Sequence, residues 1–134
     1  MNNNLIKTIF FFLIISINLY GQNVKIKKDI AYVNDKEYLK FENCGAFSDT
    51  CSIKNLNNEE IIFITVDKVP RDTRYTYDKV KFLGFDKTIE SRESRKDLVK
   101  IFYINKVVDE NGNLNEDSVN KVVEKYGNDI SIKD

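Results

Sequence analysis

The chain contains no histidine and no tryptophan, and only one proline, five glycines and two cysteines among its 134 residues. Without histidine there are no Ser–His or Cys–His nucleophile pairs, no imidazole metal ligands and no ordinary proton switch near neutral pH. Without tryptophan the strongest aromatic platform for cations and sugar rings is missing. The glycines are scattered, so no glycine-rich loop exists to cradle a phosphate. Neither charge sign prevails: 21 Lys and Arg face 21 Asp and Glu. Such an interspersed surface exerts no pull toward nucleic acid, and none is expected as a partner.

One long apolar run is present, at the start. A single lysine, Lys7, precedes an uncharged stretch from Thr8 to Leu19, and Tyr20-Gly21 follows. A positive charge, a core of about a dozen apolar residues and a small residue at the end describe a secretory signal peptide, with cleavage after Gly21. The run falls short of the ~20 residues that span a bilayer. An uncleaved N-terminal anchor is the alternative. Residues 1–21 are therefore read as the signal and 22–134 as one domain, exported to the periplasm or the cell exterior, with no stable membrane span once the signal is removed. The Asn-, Lys- and Ile-rich composition suits a bacterial envelope protein.

Both cysteines, Cys44 and Cys51, lie in the exported part. An even count in an oxidising compartment favours a disulfide, and a loop of this length can bring the two together. Two buried thiols or a redox pair remain the alternatives, although the spacing is not Cys-x-x-Cys.

The sheet is organised around Glu60–Val69 (EIIFITVDKV). Its alternation places Ile62, Ile64 and Val66 on one side and Ile61, Phe63 and Thr65 on the other, which predicts a central strand covered on both faces. Upstream, a hairpin centred on Asn34-Asp35 would set Ile30 against Leu39 and Asp29 against Lys40. A second hairpin, centred on Asn57-Asn58, would set Ile53 against Ile62, Lys54 against Ile61 and Cys51 against Ile64. Downstream, Pro70 to Arg74 breaks the pattern, and Tyr75 to Phe85 resumes it out of phase. A bulge near Asp78-Lys79 would bring Tyr75, Tyr77, Val80 and Phe82 to one face.

Helical spacing then takes over. Ser94-Arg95-Lys96-Asp97 fits a capping box, followed by Leu98, Ile101, Phe102, Asn105 and Val108, although Leu98 to Ile104 also suits a strand. A second helix is capped by Asn115, carries Glu116 and Asp117 at its start, presents Val119, Val122, Val123 and Tyr126 as one stripe, and ends at Gly127. Ile130 and Ile132 form a final short strand or a tail. The expected fold is α+β: an antiparallel sheet of about five to six strands from about Val24 to Phe85, followed by two C-terminal helices packed on one face.

No motif specifies a reaction. Asp109 to Asp117 (DENGNLNED) fails the calcium-loop spacing in either register, so it reads as a turn and an N-cap, and no metal or cofactor is implied. The neighbouring carboxylates Glu59-Glu60, Asp109-Glu110 and Glu116-Asp117 fall at turns and helix ends, where solvation is expected. Every arginine lies between Arg71 and Arg95. With Tyr75 and Tyr77 beside them, Arg71 and Arg74 mark a candidate partner surface, because Tyr and Arg anchor many interfaces. Local ion pairs with Asp72, Asp78, Glu90 and Glu93 are the plainer explanation. The expectation is a non-catalytic binding or structural module whose partner is another envelope or extracellular protein. A hydrolase working through carboxylates alone, and a component of a surface assembly, are the alternatives.

Overall fold

The computed structural model describes residues 21–132. The expected signal peptide therefore falls, but for Gly21, outside the described residues. Seven strands form one antiparallel sheet in strict chain order. They are β1 (Val24–Lys27), β2 (Ile30–Val33), β3 (Lys36–Glu42), β4 (Thr50–Lys54), β5 (Glu60–Val69), β6 (Asp72–Phe82) and β7 (Lys87–Ser91). Two helices follow, α1 (Arg95–Ile104) and α2 (Glu116–Tyr126). The fold is thus the expected α+β arrangement, with seven strands in place of five to six. The sheet runs past the expected limit at Phe85 to include β7, and β1 is joined to β2 by Lys28-Asp29, both at positive φ without a glycine.

Ile62 and Ile64 of β5 are fully buried, together with Ile53 of β4, Val80 and Phe82 of β6 and Ile89 of β7. The helices close this face. Phe82 meets Phe102 of α1 edge to face, with ring centroids 5.9 Å apart. Leu98, Val99, Val119 and Val122 complete the layer. Only one face of β5 is fully covered, which corrects the two-sided expectation. On the other face Ile61 is buried, while Phe63 and Thr65 keep partial solvent contact.

The β4–β5 register sets Ile53 against Ile62 and Cys51 against Ile64, as the alternation requires. A shift beyond Ile53 pairs Lys54 with Glu60 rather than Ile61, because the connection is the longer loop Asn55–Glu59. The β2–β3 register also departs from expectation. A bulge between Ala31 and Tyr32 pairs Ala31 with Leu39 and Ile30 with Lys40. That slip brings Leu39 onto the face already occupied by Ala31 and Val33, where all three are buried.

Ser94 caps α1 by accepting a hydrogen bond from the Asp97 amide at 3.1 Å. Leu98 to Ile104 is helical, but Asn105 ends the helix and Lys106 takes φ 54°. Val108 therefore leaves the helical stripe and instead bridges to Leu114. Asn115 caps α2 through the Ser118 amide, and Gly127 follows its last turn. The tail turns back along β7: Asn128 bridges to Glu90, and Ile130 is buried. Among the described residues, no helix is long and apolar enough to cross a membrane.

Candidate interaction surface

β5 and β6 are longer than their neighbours. β4 leaves β5 at Thr65, and β7 leaves β6 at Asp78. Beyond those points β5 and β6 continue as a two-stranded arm closed by Pro70-Arg71. The pairing along the arm is regular down to Lys68 opposite Thr76, and the next pair is Val69 opposite Asp72. Thr73, Arg74 and Tyr75 are therefore extra residues on β6, bulged out of the ladder. The irregularity sits here and not at the expected Asp78-Lys79. The physical reason lies in how the two faces are filled: Val80 and Phe82 face the helices while Tyr77 packs on the opposite side, so no phase change is needed between them.

The bulge is braced locally. The Arg74 guanidinium grips Asp72 through two parallel bonds, Nε to Oδ1 at 2.8 Å and Nη2 to Oδ2 at 2.6 Å. The Arg74 amide also donates to Asp72 Oδ1 at 3.2 Å. The guanidinium carbon lies 5.8 Å from the centre of the Tyr75 ring. A forked pair of this kind fixes geometry more than it adds stability at an exposed site. The same contact holds the Asp72 carboxyl below its ordinary pKa. Arg71, Arg74 and Tyr75 are all exposed, Tyr75 at 61 %.

Tyr77 behaves differently. It is 5 % exposed and borders Asp67, Lys79 and Glu90. Burial first, and the Glu90 and Asp67 charges next, push its phenol upward from its ordinary pKa. Glu90 is itself tied to the tail, accepting from the Ser131 hydroxyl at 2.7 Å and the Ser131 amide at 3.0 Å. Tyr77 thus supports the base of the arm, while Arg74 and Tyr75 present its surface.

Next to the arm stands the β3–β4 loop, closed by the Cys44–Cys51 disulfide with a Cα separation of 4.4 Å. Cys51 is buried against the core, so the bridge ties the loop to the sheet. The Val66 amide donates to the Asp49 carbonyl at 2.8 Å, which holds the loop against the arm. Phe47 projects from this loop with its side chain wholly in solvent. The amino-acid pattern places Phe47 in the loop but does not tell whether it packs beneath it or projects.

At the opposite end of the sheet, a cleft of about 490 Å³ opens between the β4–β5 loop and the α1–α2 turn. Tyr38, Leu56 and Val108 form its apolar part, and the exposed Glu37, Asp109 and Glu110 stand at its rim. Asp109 is occupied with its own turn: Oδ1 accepts from the amides of Asn111 and Asn113, both at 2.9 Å. The adjacent carboxylates singled out above, Glu59-Glu60, Asp109-Glu110 and Glu116-Asp117, are all exposed. Among the described residues no three acidic or cysteine side chains converge as a metal site. A comparison of this chain with known protein families, characterised proteins and solved structures finds no match to any of them.

Proposed function

We propose that the protein is a small exported, non-catalytic binding or structural module that contacts another envelope or extracellular protein through the β5–β6 arm. The observation that carries this reading is the Thr73–Tyr75 bulge. It holds an Arg–Tyr pair out of the ladder in one braced geometry, at a point where the core gains nothing from it. Bulges commonly re-aim side chains in this way, and preorganised Arg and Tyr side chains lose little entropy on binding. The disulfide supports the exported address, since such bonds persist in oxidising compartments.

The test is recovery of partners from the organism's own cell envelope on the folded chain lacking its signal, run beside an Arg74→Ala/Tyr75→Ala variant. The reading expects a protein retained by the wild type and lost with the variant. Identical recoveries on both baits would remove the arm as the contact.

A further inference from the structure

We propose that Asn111 is a site of spontaneous deamidation, and that the hydrogen bond from Asn55 to Gly112 sets how fast the change occurs.

Asn111-Gly112 is the single Asn-Gly step in the chain. Glycine has no Cβ, so its amide nitrogen can approach the preceding side chain more closely than that of any other residue. Asn111 is exposed, and its carboxamide makes no hydrogen bond among the described residues. The reacting side chain is thus open to water and unrestrained. The backbone around it is the reverse. The Gly112 amide donates to the Asp109 carbonyl at 3.0 Å, and the Asn111 amide donates to Asp109 Oδ1 at 2.9 Å. The Gly112 carbonyl accepts from buried Asn55 at 2.8 Å, and the Asn111 carbonyl accepts from Asn57 Nδ2 at 3.4 Å.

The chemistry needs only water and hydroxide. Hydroxide removes the Gly112 amide proton, and the nitrogen attacks Asn111 Cγ. The new C–N bond closes a five-membered succinimide. The old bond to Nδ2 breaks, and that nitrogen leaves as ammonia, taking its proton from water. A second water opens the ring at either carbonyl, leaving aspartate or isoaspartate. Nothing is oxidised or reduced: one amide and one water become one carboxylate and one ammonium. The first step needs the N–H that Asp109 holds. Ring closure draws the same nitrogen onto the side chain, while Asn55 anchors the carbonyl on the far side of Gly112. The change therefore proceeds through local opening of the turn, and the intact clamp holds it back. It is also one-way. Isoaspartate adds a methylene to the main chain and a charge beside Asp109 and Glu110, so the Gly112 carbonyl does not return to Asn55. Accumulated isoaspartate thus counts openings between the β4–β5 loop and the α1–α2 turn.

The experiment incubates the purified folded chain in mildly alkaline buffer and follows the mass of each proteolytic peptide. The expected result is a gain of one mass unit confined to the peptide holding Asn111, absent in Asn111→Gln, and slower than in the same chain held unfolded in denaturant. Asn55→Ala should speed the folded reaction at least about tenfold, because rates through local opening follow the open population. Should Asn55→Ala not fold, Asn55→Asp makes the same test. It keeps the acceptor for the Asn57 and Glu59 amides and loses the donor to Gly112. Replacing Cys44 and Cys51 by alanine weakens the far end of the sheet, and should leave the rate within about twofold of the wild type. The proposal is overturned by a gain spread over other asparagines, by equal rates in folded and unfolded chain, by no acceleration in the Asn55 variant, or by equal acceleration in the cysteine variant.

Discussion

The side-chain amide of Asn55 donates to the Gly112 carbonyl at 2.8 Å, linking the β4–β5 loop to the α1–α2 turn across 57 residues of chain. Asn55 is 1 % exposed. Its Oδ1 also accepts from the amides of Asn57 at 3.0 Å and Glu59 at 2.9 Å. One buried side chain therefore shapes the hairpin loop and fastens the helical layer to it. Asn55→Ala strips three partners at once and should destabilise by about 2–3 kcal/mol in denaturant unfolding. Asn55→Asp keeps the acceptor but sets a carboxylate against the Gly112 carbonyl, so it should not restore the loss.

Gly112 takes φ +84°, and a Cβ there would meet Asn55 Nδ2 at 3.0 Å. Gly112→Ala should therefore cost about 1–3 kcal/mol, from backbone strain together with displacement of the amide. A loss no larger than that of an ordinary surface substitution would show that the turn relaxes around the methyl group.

The Tyr38 hydroxyl is buried with no well-formed hydrogen bond, only a poorly aligned approach by the Val108 amide, and its ring lies edge to face with Tyr103 at 5.3 Å. Burial is the main reason that its pKa is pushed far above 10.0, and the nearby Val108 amide offsets this only in part. A phenol raised in this way keeps its proton in the fold after the unfolded chain has released it. Its contribution to stability is complete below pH 10.0 and is lost as pH climbs toward the raised value. Tyr38→Phe should thus flatten the alkaline fall in stability. At pH 7 it should be neutral or stabilising by up to about 1 kcal/mol, because an unsatisfied buried group is removed.

The disulfide closes a short loop, its cysteines being separated by 7 in sequence. Loop-closure entropy for such a span corresponds to about 2–3 kcal/mol. Replacing both cysteines by alanine should lower stability by that order, and mass spectrometry without reductant should find neither thiol open to alkylation in the native chain. Alkylation of both in the folded protein would rule the bridge out.

Arg74→Ala and Tyr75→Ala should each shift stability by less than about 0.5 kcal/mol, since both side chains are exposed and their contacts are local. A melting-temperature scan of the variants checks this. A large loss at either position would assign the pair to the fold instead of to a partner.

The strands that announced themselves in the amino-acid pattern are those whose alternation, partner and turn agree. β5 begins and ends where its charge and Pro70 say, and Cys51 and Ile53 find Ile64 and Ile62 because both sides of that hairpin alternate cleanly. The Ser94 and Asn115 caps were equally plain. Other features depend on tertiary competition. β1 is a short VKIK segment whose turn has no glycine. The slip at Ala31 occurs because Leu39 gains more from the core than the cross-strand charge match does. α1 stops at Ile104 because the chain must turn at Lys106 to bury Val107. At the candidate surface, Arg71, Arg74 and Tyr75 were legible from composition, while the burial of Tyr77 and the projection of Phe47 were not. Those depend on which face of β6 meets the tail and on how a closed loop is tilted.

Each strand borders only the strand before and the strand after it in the chain, and the longest link between neighbours is residues 43–49. Every pairing therefore closes over a short span, so the entropic barrier to each step is small. The sheet can grow hairpin by hairpin from its amino end, without any strand waiting for a later one. The two helices follow all seven strands in the chain, so their packing on the core face closes contacts of greater sequence separation than the hairpins do.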